Sequence, residues 1–123
     1  MNTITWILTG VLAVIFTFSG IAKSTMSRDR LIASGQTGIA PFPMPVVRVV
    51  AVCELLAVVG LFAPWLTGTA RYLTPLAAVG LGIVMIGAAV SHSSLREPKA
   101  TAATVTFLVL CAFVAASRFA ALG

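Results

Sequence analysis

Three ionisable residues stand where a bilayer would bury or border them. Glu54 lies inside the apolar run 46–66, Lys23 directly follows the run 4–22, and His92 directly follows the run 74–91. A carboxylate, an ammonium and an imidazole together can bind a polar head group or pass protons, because their proton affinities span neutral pH. Glu54 is about nine residues into its run, ~13 Å from the start at 1.5 Å per residue. That is near the midplane of a hydrocarbon core about 30 Å thick. An unpaired acid there costs ~2.5–3.5 kcal/mol even on a lenient insertion scale. Glu54 is therefore expected to face other helices and either to have a partner or to hold a proton.

Arg48 is the nearest cation in sequence, but six residues turn a helix by roughly 240° from the starting face. Its side chain leans toward its own helix N-terminus and can snorkel to the interface. Lys23 and His92 end helices that run the other way, so both lean back into the membrane while Glu54 leans toward them. The three directions converge, and Lys23 is expected to bridge to Glu54 directly or through a water. Ser19, at i−4 from Lys23 on the same face, joins Lys23, Glu54 and His92 as ligand-binding or proton-relay candidates. Thr17, Ser91, Thr104 and Thr106 share that half of the bilayer. The opposite half contains little that is polar, mainly Thr9. The competing reading is structural: interhelical hydrogen bonds and one ion pair that fix helix register.

These residues sit in a chain with very little charge. Of 123 residues 59% are hydrophobic and 9% charged, with 8 basic and 3 acidic side chains; mean hydropathy is +1.08. A soluble domain carries roughly 25% charged residues, and disordered chains are poor in apolar ones, so both classes are excluded. The four apolar runs, 4–22, 46–66, 74–91 and 101–119, each approach the roughly 20 helical residues that span a bilayer. The expected fold is all-α, an integral membrane four-helix bundle of antiparallel up-and-down topology forming one domain over 1–123. The first run lacks the basic flank of a secretory signal and is read as a permanent helix.

The loop 23–45 is the one long connection. It holds a candidate interfacial amphipathic helix over 28–34, followed by Gly35, Gly38, Pro41, Pro43 and Pro45 as breakers. Thr74-Pro75 reads as an N-cap with proline at the first helical position. Ala78 and Gly82 form a small-xxx-small pair for helix packing. Lys23, Arg28, Arg30, Arg48, Arg96 and Lys99 fall on one side and Arg71 and Arg118, at span ends, on the other. The positive-inside rule then puts both termini outside, with Trp6, Trp65 and Tyr72 at the outer interface.

Other chemistries are not supported. Cys53 and Cys111 form no C-x-x-C and read as small buried hydrophobes. One histidine and one intramembrane carboxylate are too few for a metal site. No nucleophile with its base is apparent, and no phosphate loop or nucleotide fingerprint. The basic residues are scattered singly, so nucleic acid is not an expected partner.

The motif around Lys23, F-S-G-I-A-K over residues 18–23, resembles the F-S-G-x-x-K signature of the DoxX-like family. Residues 50–61, V-A-V-C-E-L-L-A-V-V-G-L, resemble that family's second-helix motif with its central glutamate. Residues 80–92, G-L-G-I-V-M-I-G-A-A-V-S-H, resemble its third-helix motif ending in histidine. The resemblance implies a bacterial plasma-membrane four-helix protein, not an enzyme by itself. Some family members are associated with membrane oxidoreductase assemblies, one of them linked to thiosulfate oxidation with quinone. The expected role is thus an accessory redox subunit whose polar pocket takes a quinone-like or other small molecule, with redox subunits or a second copy as partners. A small-molecule or lipid transporter module and a ligand-free assembly factor are the alternatives.

Overall fold

In hydrocarbon a backbone can satisfy its N–H and C=O groups only within a helix or a closed barrel. The apolar runs here become helices. The computed structural model describes residues 2–122. Helix α1 covers Asn2–Thr25, a short helix α2 Arg28–Ala33, α3 Met44–Thr67, α4 Leu73–Ser94 and α5 Pro98–Leu122; a single 3-10 turn, Thr37–Ile39, lies between α2 and α3. Helices α1, α3, α4 and α5 are each long and apolar enough to cross a membrane. They extend one to three residues past the apolar runs at each end, because a helix stops where its backbone is capped rather than where hydropathy falls.

The four long helices close a ring: α1 packs on α3, α3 on α4, α4 on α5 and α5 back on α1. Leu12 and Phe16 of α1, Leu61 of α3, Leu81 and Met85 of α4 and Val114 of α5 form the shared core. The outward faces are equally apolar. Phe18 is 77% exposed and Val14 71%. In water each would forfeit ~1.5–3 kcal/mol of burial; against lipid tails neither does. This two-sided apolarity makes a membrane the solvent of the fold.

Pro64 sits inside α3 and cannot donate to the carbonyl four residues back. That carbonyl belongs to Gly60, and the Thr74 hydroxyl donates to it at 2.8 Å. The expected cap at Thr74 is therefore corrected. Helix α4 begins at Leu73, and Thr74 serves the neighbouring helix by satisfying the acceptor that proline leaves empty. Gly82, by contrast, packs within the bundle as the small-residue pair suggests, against Leu108 and Cys111 of α5. Cys53, expected to be buried, instead faces outward, while Cys111 is buried.

The long connection folds over one end of the bundle. Ser27 caps α2, accepting from the Arg30 amide. Leu31, Ile39 and Val47 make a second small core under it. The Arg28 guanidinium donates to the carbonyls of Ala40 and Phe42. Arg48 donates to the Lys23 carbonyl at 2.6 Å, completing an acceptor at the end of α1 that the helix itself leaves open.

Candidate functional site

The site begins with the approach of α1 to α3. At Gly20 an added Cβ would lie 2.7 Å from Leu55 Cγ, closer than real Cβ atoms come, and a tight 3.2 Å from the Ala51 carbonyl oxygen. Glycine here lets the two backbones close up one turn before Lys23 and beside Glu54. The result is a direct ion pair, with Lys23 Nζ donating to Glu54 Oε1 at 2.9 Å. Glu54 is fully buried, so the bridge expected from the lean of the two side chains forms without a water. The second oxygen, Glu54 Oε2, is buried with no hydrogen-bond partner.

His92 does not join Glu54, and the expected three-way convergence is corrected on this point. Its Nδ1 lies 2.9 Å from Glu97 Oε1. Helix α4 is capped by Leu95, and Arg96 then takes a left-handed backbone with φ 57°. This turns the chain so that the Glu97 amide donates to the His92 carbonyl at 3.0 Å, which brings the two side chains together. An ionised carboxylate only accepts, so the Nδ1 position carries the proton. Thr37 Oγ1 donates to the same oxygen at 2.8 Å. Hydrogen bonds from His92 and from Thr37 hold the Glu97 carboxyl below the usual carboxylate range.

The same contacts fasten the long loop to the end of α4. Ser91 Oγ donates to the Gly38 carbonyl at 2.6 Å. A Cβ on Gly38 would stand 2.9 Å from His92 Nε2, so the ring lies flush against this backbone and a larger residue there would push it aside. Thr37, Gly38, Ser91, His92 and Glu97 act together as a clasp.

Between the clasp and the ion pair lies a cavity of about 440 Å³, within the range of small-molecule sites. Lys23, Ser19, Gln36, His92 and Thr104 supply its polar side chains; Phe16, Val84, Met85 and Phe107 are among its apolar walls. Of the four candidates, Lys23, Ser19 and His92 thus reach one space. Glu54 is bound to Lys23 and is not part of the lining. Thr104 bonds carbonyls of its own helix, Ala100 and Thr101. Lys23 uses one of its three N–H donors on Glu54, leaving capacity for an acceptor in the cavity. Among the described residues, no three His, Cys, Asp or Glu come together as metal ligands.

Glu97 and Thr37 carried no signal in the sequence, since each lies in a connection and acquires its role only through the turn at Arg96. The opposite half also differs from expectation. It holds Thr5, Thr9, Thr74 and Arg118 as buried polar residues, with Thr5 Oγ1 2.6 Å from Ser117 Oγ. Arg118, expected as a span-end orienting charge, is enclosed. The helix ends of α1, α3 and α5 meet around it and cover it with indoles.

A ring of four lipid-facing helices around one partly polar cavity defines a small helical membrane protein. The chain belongs to the DoxX-like family, whose model matches residues 7–114. No curated protein and no solved structure matches it.

Proposed function

We propose that the cavity binds a small apolar molecule with a carbonyl or hydroxyl group, a quinone-like head group being the best chemical match. The protein would then serve as an accessory subunit of a membrane redox complex. The observation that carries this reading is the 440 Å³ cavity with apolar walls and two cationic or donor groups, Lys23 and His92, in its lining. A flat ring fills the apolar part, and its oxygen accepts from Lys23. The Glu97 carboxylate orients His92 and favours a proton on Nδ1, an arrangement suited to receiving and releasing protons at a ligand oxygen. Partner subunits would supply the electron-transfer centres.

The structural reading draws on one specific contact. The Lys23–Glu54 pair is made wholly within the protein, and it could fix α1 against α3 with no ligand. Gly87 separates the two readings, because it lines the cavity and an added Cβ there meets nothing within 4 Å. The full chain in nanodiscs is titrated with a short-chain benzoquinone by equilibrium dialysis. Saturable binding is expected, weakened about tenfold or more, ~1.4 kcal/mol, by Gly87→Leu, which fills the cavity, and by His92→Ala. Absent saturable binding, or binding indifferent to Gly87→Leu, rejects the ligand site.

A further inference from the structure

The end of the bundle away from the loop has a buried cation with no acidic side chain beside it among the described residues. Arg118 is 2% exposed. Its Nη1 reaches Asn2 Oδ1 at 3.5 Å, a marginal contact, while Nε and Nη2 are buried with no partner. Its Cζ lies 4.3 Å from the Trp6 ring centre and 4.6 Å from that of Trp65. Arg71 stands over the same Trp65 ring at 4.0 Å. Two guanidiniums thus share one indole and repel one another.

Among the described residues, no acidic side chain of this chain balances them. Its three carboxylate side chains are Asp29, Glu54 and Glu97. Asp29 is in α2 at the loop end, Glu54 is paired with Lys23, and Glu97 is in the clasp. Cation–π contacts offset part of the desolvation, but indoles do not neutralise charge. An anion from outside the chain would complete the site.

The surroundings indicate which anion. Tryptophan at the end of a membrane span lies at the depth of lipid head groups, where phosphate is the abundant acid. Guanidinium forks match phosphate oxygens with paired hydrogen bonds. Leu66 and Phe119, close in sequence to Trp65 and Arg118, are exposed apolar residues, suited to an acyl chain. We propose that Arg71 and Arg118, framed by Trp6 and Trp65, bind the phosphate of an anionic phospholipid. The phosphate meets half-buried Arg71 first, and the half-buried indole of Trp65 shifts to admit it to Arg118.

Trp6 and Trp65 are the only tryptophans in the chain, so emission excited selectively from tryptophan reports on this site alone. The full chain is purified in an uncharged maltoside and titrated with phosphatidylglycerol, phosphatidylcholine or inorganic phosphate. Phosphatidylglycerol is expected to shift the emission saturably. Phosphatidylcholine, whose choline already faces its phosphate, should bind about tenfold more weakly. Arg118→Gln should abolish the response; Arg71→Gln, at a less buried position, should weaken it about fivefold or more with helical content unchanged by circular dichroism. An equal response to inorganic phosphate overturns the lipid assignment in favour of a free-phosphate site. No response to phosphatidylglycerol, or one unchanged in Arg71→Gln, overturns it too, and leaves the two cations to a partner's carboxylate.

Discussion

Glu54 offers one oxygen to Lys23 and keeps the other, Oε2, buried without a partner. Carrying a charge into the bundle is costly, and attraction to a second charge repays that cost only while both members are present. Removing one therefore does more harm than removing both. Glu54→Gln leaves the Lys23 ammonium buried and unneutralised, and is expected to lower stability by about 3–5 kcal/mol. Lys23→Met combined with Glu54→Leu should recover most of that loss, because two apolar side chains of similar volume fill the same space. Unfolding in mixed detergent micelles measures both variants and the wild type. If the double variant is as unstable as the single one, the pair is held by something beyond mutual charge compensation. The pair itself was legible in the sequence: an acid at mid-span must find a partner, and helix direction selected Lys23 over Arg48. The partner of His92 was not, because Glu97 reaches it through a left-handed residue, Arg96, that is not glycine and so gives no warning in the sequence.

At the scale of elements, the main surprise is how the long loop is held. Its proline and glycine content marks it as irregular, and the short helix α2 follows from a Ser27 cap and an apolar Leu31 that needs cover. Its docking at the end of α4 depends instead on hydrogen bonds between residues far apart in sequence, Thr37 to Glu97 and Ser91 to the Gly38 carbonyl, and no local pattern encodes that. The clasp has a predictable pH response. The folded-state pKa of Glu97 lies below its ordinary value. Its contribution is therefore complete above the unfolded pKa of about 4.3 and is lost as pH falls through the lower folded value. A spin label at the exposed position Ala40, with Cys53 and Cys111 replaced by alanine, should be immobile at neutral pH and loosen below pH ~4. In Glu97→Gln the label should already be looser at neutral pH and show no acid transition. A label that loosens identically in both proteins would place the control of the loop elsewhere. His92 lines the cavity and rests on Gly38, so the clasp and the candidate ligand site share this side chain.

The whole molecule is polarised by charge. Six of its eight lysines and arginines and all three acids fall on the loop side or pair toward it, whereas Arg71 and Arg118 stand at the far end. The positive-inside rule counts only basic residues in short connections, and by that count the loop side is expected to face the cytoplasm. Helix length and hydropathy cannot decide this, since four apolar helices fit a bilayer equally well either way up. The decision lies in the connections, at Ser27 in the long loop and Thr69 between α3 and α4, both exposed. In a protein lacking Cys53 and Cys111, Thr69→Cys should react with a membrane-impermeant maleimide on intact bacterial cells. Ser27→Cys should react only after the cells are permeabilised. The inverse pattern would reverse the bundle. It would put the clasp outside, where His92 and Glu97 would exchange protons with the external medium, and Arg71 and Arg118 against the inner leaflet. Since anionic phospholipids are enriched on the cytoplasmic leaflet of many membranes, the same experiment would also fix which leaflet supplies the phosphate to Arg118.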